Sequence, residues 1–225
     1  SPIASSPICI PKSPDIMKRM QSVFDVRVNP KALLSPSALN CYLDCPLKFY
    51  YKYVAGLAAP EEVSAEIDSA KFGSIFHYAA EHIYKELTAH GKVINKDTLE
   101  ALLQEEVKLQ NYVDNGFKEL FFHLPTDERP EYNGVQLINS AVILRYIQQL
   151  LRNDLRHAPF TFVGSEQRVM EDVEIQTPKG AIRSRMGGII DRMDSKDNVL
   201  RIVDYKTGGK ADTPPSVESL FTPGP

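Results

Sequence analysis

An α/β domain is predicted for this chain, with a helical first part followed by a β meander. Three observations predict it. Apolar residues recur at helical spacing through four segments between Ser35 and Arg156. From Pro159 onward the texture changes to short β-branched and aromatic runs separated by turn residues. The 225 residues are 43% hydrophobic and 24% charged, an ordinary globular composition in a chain long enough to bury a core without staples.

Residues 1–15 carry proline at positions 2, 7, 11 and 14 among serines, which favours extended linker over core. Ser35-Pro36 supplies a cap and a first-turn proline, so a helix starts there, with Leu39, Leu43, Leu47, Tyr50 and Val54 at helical spacing. Pro46 removes a backbone donor inside that run and predicts a kink or two short helices. Residues 60–69 are acidic and polar and read as a loop. From Lys71 to Leu87 the stripe Phe72, Phe76, Ala79, Ile83 and Leu87 predicts a second helix. His77 flanks that stripe, on the face that carries Gly73, Glu81 and Tyr84. A third helix is expected from Asp97 to about Phe122, and a fourth from Gly134 to about Arg156, centred on Ile143, Leu144, Ile147 and Leu151. Strands follow at Phe160–Val163, Val169–Gln176, Ala181–Asp191 and Val199–Tyr205. Turns are expected at Pro178-Lys179-Gly180 and at Ser195-Lys196-Asp197-Asn198. No internal repeat is present.

No apolar run reaches membrane-spanning length, and the N-terminus has no basic stretch leading into an apolar one. The chain is therefore expected to be cytoplasmic, with no membrane partner. Three cysteines, Cys9, Cys41 and Cys45, are too few and odd in number for a disulfide framework and fit a reducing compartment. The start at Ser1 and the end in Thr222-Pro223-Gly224-Pro225 suggest a piece of something longer. A net charge of −3 does not point to nucleic acid, although local basic tracks survive such a balance.

The chemistry concentrates in Gly187-Gly188-Ile189-Ile190-Asp191-Arg192 and Leu200-Arg201-Ile202-Val203-Asp204-Tyr205-Lys206-Thr207-Gly208. Strand alternation puts Asp204 and Lys206 on one face and Tyr205 on the other. If the two strands pair across the 195–198 turn, Asp191 comes near Asp204. Two carboxylates beside a lysine suit phosphodiester hydrolysis. A hard divalent cation takes oxygen ligands, polarises the phosphoryl oxygen and lowers the pKa of a bound water. Lys206 would orient or deprotonate that water and offset transition-state charge. An Asp-x-Lys triplet alone arises about once by chance in a chain of this length and more often marks a solvated strand end. The Gly-rich strand upstream and Gly208-Gly209 after the lysine shift that balance, since glycines admit close approach of a backbone or a phosphate.

These two strands resemble the RecB-like branch of the PD-(D/E)xK nuclease superfamily. That branch has a Gly-x-x-Asp-Arg strand, matched at Gly188 to Arg192, and an Asp-Tyr-Lys-Thr-Gly strand, matched at Asp204 to Gly208. Phe72-Gly73-Ser74-Ile75-Phe76-His77 is similar to its histidine helix. Leu34-Ser35-Pro36-Ser37-Ala38-Leu39 and Cys45-Pro46-Leu47-Lys48-Phe49-Tyr50-Tyr51 resemble the opening helix of AddB-type nuclease domains of bacterial helicase–nucleases. The resemblance covers about residues 33–89 and 160–210.

It implies a restriction-endonuclease-like αβββαβ core whose C-terminal part is missing. Residues 1–30 would be a linker and 31–225 the nuclease domain, with a helical insertion at about 90–158. By the same resemblance Asp191 and Asp204 are metal carboxylates, His77 a ligand through a ring nitrogen, and the Tyr205 carbonyl a further ligand. Lys206 is the catalytic lysine, while Glu166 and Arg192 are supporting residues. Mg2+ or Mn2+ is the implied cofactor. For His77 without the resemblance, a packed core histidine is the better reading, and Glu166 alone reads equally well as a surface strand residue. His82, His90, His123 and His157 have no motif around them and read as ordinary surface residues.

Two departures from the branch stand out. A Gln-x-x-x-Tyr helix that follows the lysine strand in the branch has no counterpart before Pro225. Some relatives hold an iron–sulfur cluster with a cysteine at the position of Cys45, but a cluster needs four thiolates and this chain has three cysteines, one of them in the linker. Cys45 is thus a candidate cluster ligand only within a longer parent. The leading expectation is a metal-dependent DNA exonuclease acting in double-strand-break repair and recombination, partnered by a helicase module of the same parent chain or of a partner protein. The alternatives are a nuclease-like domain that binds DNA or a partner without cutting, and a standalone phage-type exonuclease.

Overall fold

The computed structural model describes residues 9–58, 67–125, 128, 130–177, 180–208 and 216. Positions 178 and 179 of the expected turn, the glycine at 209 and the last residues of the chain lie outside the described residues, as do residues 1–8. The chain divides into two compact units, one of Ser1–Val63 with Gln167–Ile189 and one of Ser64–Glu166 with Ile190–Pro225.

In the first unit, α1 spans Pro14–Phe24 within the segment expected as linker. Its start follows ordinary capping rules: Ser13 accepts from the Ile16 N–H, Pro14 stands in the first turn, and Asp15 complements the helix dipole there. α2, Pro36–Asp44, begins as expected, with the Ser35 hydroxyl accepting from Ala38 N–H at 3.1 Å. The break at Pro46 is real. Cys45 leaves the helical region, its thiol accepts from Lys48 N–H, and α3 (Pro46–Phe49) restarts before a π-helical turn over Tyr50–Val54. Ala38, Phe49 and Val54 form a small core with Met20, Phe24 and Tyr53 around them, and Phe24 stacks on Phe49 at 5.5 Å. Gly187 needs to be glycine, because a Cβ there would stand 2.4 Å from the Val169 carbonyl oxygen.

In the second unit, α4 (Ser69–Leu87) starts on the Asp68 cap and buries Ile75, Phe76, Ala79, Ala80, Ile83 and Tyr84. The single helix expected from Asp97 to Phe122 is two: α5, Lys96–Gln104, and α6, Glu106–Phe117, with a π-helical turn over Lys118–Phe122. Glu105 breaks them, at φ −91° and ψ 61°. α7 runs Gly134–His157 from an Asn133/Gln136 capping box. Leu109, Val113, Phe117, Ile143, Ile147 and Leu151 are fully buried with Ile75 and Ala79. The region expected as an insertion therefore furnishes much of this unit's core.

The sheet has the order β1-β2-β3-β4, with β1 at Val93–Ile94, β2 at Phe160–Thr177, β3 at Gly180–Lys196 and β4 at Val199–Val203. The short β1 was not expected; it pairs antiparallel with β2, Ile94 opposite Phe160. The two strands expected at 160–163 and 169–176 are one, whose inside–outside alternation fails around Glu166, a residue at φ +48°. β3 and β4 form a hairpin with Arg192 opposite Val203 and Lys196 opposite Val199. Its two-residue turn, Asp197-Asn198, takes φ of +50° and +64°, the left-handed pair that matches strand twist. No helix among the described residues is long and apolar enough to cross a membrane.

Candidate metal and catalytic site

Three side chains from three elements of the second unit converge. His77 comes from the edge of the buried stripe of α4, Glu166 from the irregular point of β2, and Asp191 from β3. His77 Nδ1 stands 3.4 Å from Glu166 Oε1 and 3.7 Å from Asp191 Oδ1. One ligand atom of each lies within 4.8 Å of the others. All three are partly buried, Asp191 most, with 12% of its side chain exposed. Two ligands on one hard ion at ~2.1 Å sit roughly 3 to 4 Å apart, so small side-chain adjustments bring this trio onto a shared ion. One imidazole nitrogen with two carboxylates suits a divalent cation.

The hairpin register continues from Arg192 and Val203 to bring Asp191 beside the start of the Asp204-Tyr205-Lys206 segment. The Tyr205 N–H donates to Asp191 Oδ2 at 2.6 Å and fixes that carboxylate. The Tyr205 ring meets His77 and Phe76 edge-on, each at 5.5 Å between centroids. Burial pushes the Tyr205 phenol well above its ordinary pKa, although the neighbouring Arg192 charge opposes this, so the hydroxyl is neutral. Asp204 stands outside the clustered trio. It pairs with Lys206 at 2.6 Å, and their side chains are 60% and 71% exposed.

Arg192 faces the other way from Asp191, as strand alternation demands, and is 1% exposed. Its guanidinium makes two hydrogen bonds to Asp154, at 2.5 and 2.8 Å, and lies over the Tyr84 ring. Asp154 was not anticipated as part of the site's surroundings, though a signal existed: it continues the buried row Ile143, Ile147, Leu151 on α7 and puts a carboxylate where an apolar residue would be expected.

A groove of about 590 Å³ opens beside the trio, lined by Gly73, Ser74, His77, Tyr78, Leu120 and Glu166. Tyr78 stacks on His82 at 3.9 Å and donates to Glu119. Burial, with that hydrogen bond, pushes its hydroxyl up to about 12. At Gly73 a Cβ would come within 3.2 Å of the Thr207 hydroxyl, so the start of α4 approaches the segment after Lys206 closely. Cys41 and Cys45 are free and partly buried, in the first unit. Of the histidines read as surface residues, His157 departs, because its Nε2 is buried without a hydrogen-bond partner.

The chain is similar to bacterial proteins named as subunits of an ATP-dependent helicase/deoxyribonuclease. The relative from Carboxydothermus hydrogenoformans is 28% identical over 188 residues, covering 80% of this chain and 16% of that protein. Those from Clostridium perfringens and Leuconostoc mesenteroides are 24% and 25% identical over 80% and 85% of this chain. The chain thus spans about 16% of the length of these relatives. The family model for the PD-(D/E)XK nuclease superfamily matches residues 33–221, which include both hairpin strands and all three converging side chains. The chain belongs to the PD-(D/E)XK nuclease superfamily.

Proposed function

We propose that this chain is the metal-dependent deoxyribonuclease module of a larger helicase–nuclease, digesting DNA ends in double-strand-break repair in the cytoplasm. The observation that carries the reading is the meeting of His77, Glu166 and Asp191 from residues far apart in sequence. His77, Glu166 and Asp191 would hold Mg2+ or Mn2+, with Asp204 and the Tyr205 carbonyl beside them. When bound, the ion supplies Lewis-acid polarisation of the phosphoryl oxygen and a more acidic water. The remaining work falls to the chain. Tyr205 N–H keeps Asp191 aimed at the shared point. Lys206, held at the strand end by Asp204, orients the attacking water and offsets negative charge on the phosphoryl group. The relatives' names and the small share of their length that the chain spans support a helicase partner.

The test is digestion of linear and circular DNA by the intact protein with Mg2+ or Mn2+. Linear DNA is expected to be degraded and closed circles spared, with loss of at least ~100-fold on Asp191→Ala or Lys206→Ala, the order seen when charge-stabilising groups are removed. Persistence of linear DNA with both ions, or equal activity in the variants, contradicts the reading. The exposed Asp204–Lys206 pair favours a second reading, a module that grips DNA without cutting, which predicts salt-sensitive binding with no cleavage.

A further inference from the structure

We infer that Asp154 is a positioning residue for the metal centre, acting through a largely buried, charge-balanced lattice that ties together the helix and strands bearing the proposed ligands. This rests on the metal-site reading above.

Asp154 is 2% exposed, near the end of α7, far in sequence from every ligand. It touches three elements that meet around Asp191. On α4 it accepts a hydrogen bond from the Tyr84 hydroxyl, and Tyr84 lies seven residues, two turns, beyond His77 on the same helix face. On β3 it takes both forks of Arg192, the residue next to Asp191. On β4 it lies 3.4 Å from Arg201, which forms a two-pronged pair with Asp194 at 2.8 Å. Arg192 also lies 3.2 Å from Asp194. Two arginines therefore face two aspartates, and the cluster is neutral as a whole.

The path to the site is short. The Arg192 guanidinium lies 4.5 Å from the Tyr84 ring centre and 5.9 Å from that of Tyr205. Tyr205 packs on His77 and holds Asp191 through its N–H. Moving Arg192 shifts the β3 backbone at Asp191 and the Tyr205 ring together. Apolar packing alone would hold these elements near one another, but it is not directional. A bidentate carboxylate–guanidinium pair fixes angle as well as distance. In a low-dielectric interior, loss of one charge from a balanced set leaves the others to rearrange.

The test compares Asp154→Asn and Tyr84→Phe with the unaltered intact protein, by Mn2+ titration followed by electron paramagnetic resonance. The His77 ring 15N shifts are recorded in metal-free protein, at temperatures where each variant is folded. Asp154→Asn keeps volume and removes charge, and is expected to weaken Mn2+ binding about tenfold or more, the range for outer partners of metal ligands. Its His77 ring shifts are expected to move before any metal is added. Tyr84→Phe keeps every charge and is expected to weaken binding less, in the same direction. A folded Asp154→Asn with unchanged Mn2+ affinity and unchanged His77 shifts overturns the inference. If Asp154→Asn does not fold, unchanged affinity in Tyr84→Phe overturns it instead. Asp191→Asn separates the two levels. Unchanged Mn2+ binding there defeats the metal-site reading itself, whereas a loss there with no effect at Asp154 defeats only the positioning role.

Discussion

Single residues in this chain carry opposed duties, and Glu166 shows it most directly. Its φ of +48° is a region that side-chain-bearing residues occupy at a cost of about 1–2 kcal/mol. The strand's alternation breaks there, and the break re-aims the carboxylate toward His77, as irregular strand positions beside active sites do. Glycine would relieve that cost, while its freer unfolded chain returns roughly 0.5–1 kcal/mol. Glu166→Gly is therefore expected to leave metal-free stability unchanged or raise it by up to ~1.5 kcal/mol, and to weaken Mn2+ binding more than ~tenfold. Urea unfolding and Mn2+ titration of one preparation measure both. A clear loss of stability without metal would mean that the Glu166 side chain supports the fold and not the site. Asp191 and Arg192 divide labour similarly. Adjacent positions on one strand face opposite sides, so one aims at the site and the other at the buried lattice.

At the level of elements, the site depends on how closely α4 and α6 approach. Gly116 on α6 is buried, and a Cβ there would lie 3.1 Å from Ile75 Cγ2, 3.2 Å from Tyr78 Cδ1 and 3.3 Å from the Ile75 carbonyl oxygen. Those residues flank His77 on α4. Gly116→Val is expected to destabilise by about 1–3 kcal/mol through overpacking, read as a lower urea midpoint with unchanged slope. In Gly116→Ala the same crowding is offset by a helix-propensity gain of up to ~1 kcal/mol, so near-neutral stability is expected. A Gly116→Val protein as stable as its parent would show that the two helices separate freely. Much at this scale is legible in sequence, because the signals are local. Ser35-Pro36 starts a helix, Pro46 breaks one, and Asp197-Asn198 closes the β3–β4 hairpin. What escapes has a physical reason. α1 hides in a Pro/Ser-rich stretch, although Ser13-Pro14 is itself a capping signal. The break at Glu105 leaves helical spacing intact on both sides. His77, Glu166 and Asp191 are nameable one by one through the resemblance, but their meeting is a tertiary fact. For Asp154 the helical spacing hints at burial, but only the fold reveals that its neighbours are arginines and a tyrosine.

Over the whole molecule, the ionisable groups are expected to make stability fall toward acid in two stages. His157, in the last turn of α7, has a buried Nε2 that lies 3.8 Å from Asp194, beyond hydrogen-bonding reach. Burial lowers its pKa first, and the Arg201 charge adds to that, against the pull of Asp194. Since its folded pKa is below the ordinary 6.5, the unfolded chain binds the proton more readily. The associated stability is fully present above about pH 6.5 and is lost as pH falls toward the folded value. Asp25 and Asp172 act lower on the scale. Hydrogen bonds from Arg27 and Arg185 hold their carboxyls below the usual range, so their contribution is complete above about pH 4 and disappears as pH drops through the depressed values. Metal-free urea midpoints measured from about pH 8 to about pH 3 should fall first as pH drops below about 6.5, and again below about 4. His157→Gln should flatten the first fall and leave the second, because Lys196 reaches the backbone carbonyl of residue 157 and not its ring. An unaltered slope near about pH 6 in that variant would assign the first stage to other groups.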